Sequence, residues 1–205
     1  MPGGQLLSVG MFVLFIVGTI ITLRDRKPKH KPISGEEVAP IQFDDPVKAL
    51  KDISWRVRAQ AVKTLGDLRD ETHISALADM LSDSDSDVRG EAVDALAKFG
   101  KVAQPDVTER LQQGLVDCRV SAAHCLAKIG DKSTVPALTT TLNHDESAWV
   151  REASAQALGT IGGVDSVLAL IPRLTDPDAD VRKAVRSALV QIGTPDALQA
   201  LKDSK

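Results

Sequence analysis

A dipeptide recurs along this chain at near-constant intervals: Val57-Arg58, Val88-Arg89, Cys118-Arg119, Val150-Arg151 and Val181-Arg182, spaced 31, 30, 32 and 31 residues apart. A period of that length is one supersecondary unit copied in tandem, and each unit must stack on its neighbours to bury its apolar faces. Counting from the first residue of each pair, Ala61, Ala92, Ala122, Ser154 and Val185 stand at offset 4. Leu65, Leu96, Leu126, Leu158 and Leu189 stand at offset 8, and Leu68, Phe99, Ile129, Ile161 and Ile192 at offset 11. These offsets line one face of an α-helix. Asp87, Asp117 and Asp180 are placed as N-caps, since a carboxylate accepts the amide hydrogens that a helix start leaves unbonded. Gly100, Gly130, Gly162 and Gly193 are placed as stops, with Arg69 in that position in the first unit.

A shorter leading helix precedes each of these. Asp45-Pro46, Gln104-Pro105, Val135-Pro136 and Thr194-Pro195 put proline near a first turn, where its missing donor costs little. Leu50, Leu81, Leu111, Leu142 and Leu174 end the apolar faces of five leading helices. The expected fold is therefore all-α, an α-solenoid of about five helix-turn-helix repeats over residues 45–205. Aromatic residues make up only 3% of the chain, which agrees with small residues at close helix contacts rather than a β-sandwich.

The caps, core offsets and period resemble the HEAT repeats of the phycobilisome-lyase type, from about Asp45 to Lys205. That resemblance implies a ladder, in which an Asp in the turn between the helices pairs with an Arg early in a second helix. Asp52, Asp83, Asp145 and Asp176 occupy the Asp position, and Arg58, Arg89, Arg119, Arg151 and Arg182 the Arg position. The third repeat has Gln113 instead of Asp, which implies a weaker rung there.

Leu6 to Leu23 is 18 residues without a charge, as a helix roughly 27 Å long and close to the hydrocarbon thickness of a bilayer. No basic residue precedes it, and Arg24, Arg26, Lys27, Lys29 and Lys31 follow it. An uncleaved single-pass anchor is expected, in contact with the lipid bilayer through residues 6–23, rather than a cleaved signal. The positive flank puts residues 1–5, the short N-terminal tail, outside and the repeats in the cytoplasm. Residues 24–44, basic and then spotted with Pro28, Pro32 and Pro40, are expected to be an extended linker.

Chemistry is thinly represented. The run Asp83-x-Asp85-x-Asp87, with Asp94 at the twelfth position, resembles a calcium loop, but Val88 stands where such a loop needs glycine. Cys118 and Cys125 are seven apart on one helix, about 10 Å of rise, and read as small core residues. None of the four histidines neighbours a nucleophile in an elbow. Deoxyhypusine hydroxylase, built on similar repeats, binds iron through His-Glu pairs, and no His-Glu dipeptide occurs here. No catalytic residue, cofactor or metal is assigned.

Partner binding along the inner ridge of the second helices remains. Offsets 3, 6 and 10 are expected to line it: Gln60, Lys63 and Asp67; Glu91, Asp94 and Lys98; Ser121, His124 and Lys128; Ala153, Gln156 and Thr160; Ala184, Ser187 and Gln191. From Asp45 onward there are 20 basic and 24 acidic residues, with no basic track for phosphates, so the expected partner is protein and not nucleic acid. Trp55 and Trp149 break the repeat pattern at turns, either as interface anchors or as covers over a neighbouring repeat's edge. The expected function is a membrane-anchored, non-enzymatic scaffold or adaptor, an accessory or assembly subunit of a membrane protein complex. The alternative is a lyase-like or cofactor-handling protein.

Overall fold

The computed structural model describes residues 41–204. The expected anchor over residues 6–23, the N-terminal tail and nearly all of the linker lie outside them. Among the described residues no helix is long and apolar enough to cross a membrane.

Eleven α-helices follow one another without a strand among the described residues. Leading and second helices alternate as α1 (Pro46–Ala49) and α2 (Trp55–Leu68), α3 (Ile74–Asp79) and α4 (Ser86–Phe99), then α5 (Gln104–Gln113) and α6 (Val116–Ile129). They continue as α7 (Val135–His144) and α8 (Ala148–Ile161), and α9 (Val164–Leu170) and α10 (Ala179–Ile192), with α11 (Pro195–Asp203) packed on α10. Each second helix has 14 residues, whereas α3 and α9 tighten into 3-10 turns at Met80–Ser82 and Ile171–Thr175.

The core runs unbroken through the stack. Leu65, Leu96, Leu126, Leu158 and Leu189 are wholly buried from the second helices, and Leu81, Leu111 and Leu142 meet them from the leading helices. Each such leucine contributes about 2 kcal/mol of burial, and no single repeat could bury both of its faces alone. The second helices pack directly on one another while the leading helices stand further apart, which puts the second helices on the inside of the curve. Two glycines allow the closest approach: a Cβ on Gly66 would lie 2.6 Å from the Cβ of Ala95, and one on Gly159 2.6 Å from that of Ala188.

The helix starts differ from the sequence expectation. Asp85 caps α4 by accepting from the amide of Asp87, and Asp178 caps α10 by accepting from those of Asp180 and Val181. Asp87 and Asp180 already lie inside the first turn, where their charge favours the helix dipole. Asp117 does the same in α6, whose N-cap is Leu115 with no side-chain cap bond. Gly130 and Gly193 end their helices in the left-handed conformation, and Arg69 takes that conformation at the end of α2 with φ 54°.

Candidate partner-binding surface

The turns between leading and second helices form one edge of the solenoid, and there the acidic and basic positions meet. Arg58 donates from Nε and Nη2 to the two carboxylate oxygens of Asp83, both at 2.7 Å. Arg119 holds Asp145 in the same fork at 2.7 and 2.9 Å, and Arg151 holds Asp176 at 3.1 and 3.0 Å. The remaining Nη1 turns back on the arginine's own repeat, donating to the carbonyls of Asp52 and Ile53 from Arg58 and of Asp145 and Glu146 from Arg151. Arg182 makes the same backward contacts to Asp176 and Pro177. Each ladder carboxylate also accepts from the amide two residues on, as Asp52 does from Ser54 and Asp83 from Asp85. One residue thus ties two helices of its own repeat to the next repeat. Burial works against the charge of Asp176, yet hydrogen bonds from Arg151 and the Asp178 amide hold its carboxyl below the usual range.

The second junction is different. Arg89 donates to the carbonyl of Asp83 at 2.7 Å, but its nearest carboxylate is Asp117, 3.6 Å away and 44% exposed. Between the second and third repeats a cleft of about 360 Å³ opens, lined by Asp79, Ser82, Arg110, Gln113, Gly114 and Leu115; Arg89 is not in its wall but bonds the carbonyl of Asp83, next to Ser82.

Along the inner ridge the structure separates the expected residues. Lys63, Asp67, Asp94, Lys128, Ser187 and Gln191 are exposed, and Gln60, Glu91, Lys98, His124 and Gln156 are half-buried. Ser121, Ala153 and Ala184 are buried instead, since at offset 3 the later repeats carry short side chains that do not reach solvent as Gln60 and Glu91 do. Two ion pairs cross repeats here, Lys98 to Asp67 and Lys128 to Asp94, each at 2.5 Å. The first three repeats therefore present neutralised charge, whereas Gln156, Thr160, Ser187 and Gln191 leave a neutral polar surface on the last two. Burial pushes His124 down to about 4 and the Cys125 thiol up to about 12, so both are neutral near pH 7. Cys125 sits buried with its sulfur 3.8 Å from the carbonyl of Val93. Neither is a poised acid or nucleophile. Among the described residues no three of His, Cys, Asp and Glu gather as a metal-binding group.

The two tryptophans differ in placement: Trp149 stands four residues before Ala153 and seven before Gln156 on α8, on the ridge face, whereas Trp55 lies off that face of α2. Trp55 opens α2, packs partly against the core and carries the Arg56 guanidinium over its ring at 5.5 Å. Trp149 is the second residue of α8 and 60% exposed. Leu115, 78% exposed, and Ile53, 99% exposed, were missed in the sequence because each occupies a turn position that carries no core pattern.

A family model described as HEAT repeats matches residues 44–120 and 116–179. Over 141 residues the chain is 33% identical to phycocyanobilin lyase subunit alpha of Picosynechococcus sp., covering 62% of this chain and 50% of that protein. It is 33% identical over 127 residues to a HEAT repeat-containing taxis protein of Halobacterium salinarum, covering 51% of this chain and 31% of the relative. It is 34% identical over 116 residues to deoxyhypusine hydroxylase of Aspergillus niger, covering 56% and 31%. The chain thus spans half the length of that lyase subunit and under a third of the other two relatives. In fold it resembles a chain in the complex of CpcE and CpcF of phycocyanin lyase from Nostoc sp., with a TM-score of 0.56 at 24% identity over 84% of this chain and 72% of that one.

Proposed function

Since the chain belongs to the HEAT-repeat family, we propose that it is a protein-binding solenoid of the lyase-like kind, a subunit that holds a protein substrate along its second helices. The observation that carries the reading is the inner ridge: a continuous row of stacked helices, charge-neutralised at one end and neutral polar at the other, with no poised acid, base or nucleophile on it. Such a surface suits an extended contact with a polypeptide. The relatives weigh toward handling a protein for a lyase-type reaction rather than toward a bare scaffold, because the lyase subunit is matched over more of its length than the taxis protein. The likeness to deoxyhypusine hydroxylase supports the shared repeat, since the described residues offer no clustered donors for a metal.

An anchor completes the proposal. The uncharged residues 6–23 and the basic residues that follow support a tether holding the repeats at the cytoplasmic face. A reporter fused after Lys205 should be active only in the cytoplasm.

Mild detergent extraction of the full chain, followed by mass spectrometry of co-purifying chains, tests the binding function. A stoichiometric protein partner is expected, retained by wild type and lost on replacing Gln156 and Gln191 with lysine. A visible chromophore in the purified complex would favour the lyase-like form over the scaffold. A chain that purifies alone would sink both.

A further inference from the structure

In every regular junction one carboxylate satisfies two donors at once: the guanidinium of the preceding repeat and the amide two residues along its own turn. Asp83, Asp145 and Asp176 do this for Arg58, Arg119 and Arg151. At the junction between the second and third repeats the chain supplies Gln113 at that position and Leu115 where Asp85, Ser147 or Asp178 stands elsewhere. Both the ladder acid and the polar residue at the N-cap are therefore replaced together, at one turn. Arg89 is as deeply set as the other ladder arginines, with its side chain 12% exposed against 12–15% for Arg58, Arg119 and Arg151. Yet it has one long contact to the half-exposed Asp117 in place of a two-pronged grip. The cleft beside it is bounded by Ser82, next to the residue whose carbonyl Arg89 holds, and by Gln113, Gly114 and Leu115 of the altered turn. The guanidinium in the cleft wall is that of Arg110, which pairs with Asp79 of the same wall at 2.6 Å, while Arg89 lies behind the Ser82–Asp83 side. Gly114 keeps the turn narrow, since a Cβ there would come within 2.7 Å of the sulfur of Cys118.

We propose that this gap in the ladder is a docking site for an aspartate or glutamate side chain of the protein partner, which supplies the missing rung to Arg89. The proposal rests on the reading of the solenoid as a protein-binding module and assigns it a point of specificity. An incoming carboxylate restores the two-pronged pairing that the other three junctions make internally, and the exposed Leu115 receives an apolar neighbour of that acid. Charge complementarity names the occupant: the vacated group is a carboxylate, and the deep-set arginine that it would meet has kept its place.

The test uses the full chain in detergent and a capped tetraglutamate peptide as probe, with capped tetraglutamine as control. Binding is read by calorimetry and by the Nε–Hε resonance of Arg89, assigned through Arg89→Lys. Wild type should bind tetraglutamate and ignore tetraglutamine. Gln113→Asp, which fills the gap from within, should weaken binding at least tenfold while melting no lower than wild type. Equal affinity in wild type and Gln113→Asp, or no binding by wild type, overturns the proposal. If a stoichiometric partner nonetheless co-purifies, the protein-binding reading survives without this site. If the peptide binds as expected but no partner is found, the site stands and that reading falls.

Discussion

Gly66 and Gly90 lie on neighbouring second helices and tolerate opposite things. A methyl group on Gly66 would meet both the Cβ and the Cα of Ala95, at 2.6 and 2.9 Å, so backbone must move to admit it. Gly66→Ala should destabilise the fold by about 1–3 kcal/mol. Gly90 has nothing within 4 Å of the corresponding position, and Gly90→Ala should stabilise by about 1 kcal/mol through helix propensity alone. Urea titration of the two variants checks both signs. His124 gives a third residue-scale expectation. Burial lowers it from an ordinary 6.5 to about 4, so between those values the unfolded chain binds a proton that the folded chain refuses. Stability should be unaffected by this group above pH 6.5, fall by ~1–3 kcal/mol as the pH drops toward 4, and level off below. His124→Gln should remove that loss, seen as a flatter melting temperature across the window. An equal acid sensitivity in the variant would refute the assignment.

Among the elements, the apolar core is common to every repeat, and the turn ladder is where the repeats differ. Arg119→Met leaves the carboxylate of Asp145, 8% exposed, without its guanidinium, and should cost ~3–5 kcal/mol. The same change at Arg89 loses one carbonyl contact and a 3.6 Å approach to a half-exposed acid, and should cost less than half as much, about 1 kcal/mol. Chemical denaturation of the pair decides whether the rungs differ as the geometry says. The element order was readable in the sequence because packing imposes the same demand on every copy: offset 8 must be leucine-sized, and the stop must reach a left-handed conformation. Cap positions were less readable. The run Asp83-x-Asp85-x-Asp87 offers three carboxylates within five residues, and only the position at which the backbone turns helical selects Asp85. The ridge was partly readable for a related reason. Offsets 6 and 10 stay on the surface, but offset 3 lies close to the neighbouring helix, so there a long Gln60 or Glu91 reaches solvent while the short Ser121, Ala153 and Ala184 do not.

At the scale of the whole molecule the solenoid is a linear array, whose cooperativity is set by its weakest junction. Three junctions are joined by forked arginine–carboxylate pairs, and the first also by Lys98–Asp67 on the inner ridge. The second junction keeps two pairs, Lys128–Asp94 on the ridge and Arg110–Asp79 at the cleft, each with an exposed carboxylate, but lacks the forked rung and carries the cleft. An exposed pair contributes little, so this junction should be where the array parts. The chain carries a reporter on each side of it, Trp55 in the first repeat and Trp149 in the fourth. Trp149→Phe leaves fluorescence that follows the first two repeats, and Trp55→Phe leaves fluorescence that follows the rest. In urea the Trp55 signal should change at lower denaturant than the Trp149 signal, because the two-repeat side buries less core on its own. Adding Gln113→Asp to each variant should draw the two midpoints together, since a carboxylate there gives Arg89 the partner that its counterparts already have. Midpoints that coincide from the start would mean that apolar packing across α4 and α6 couples the halves without a rung, and that the break in the ladder matters for binding rather than for folding.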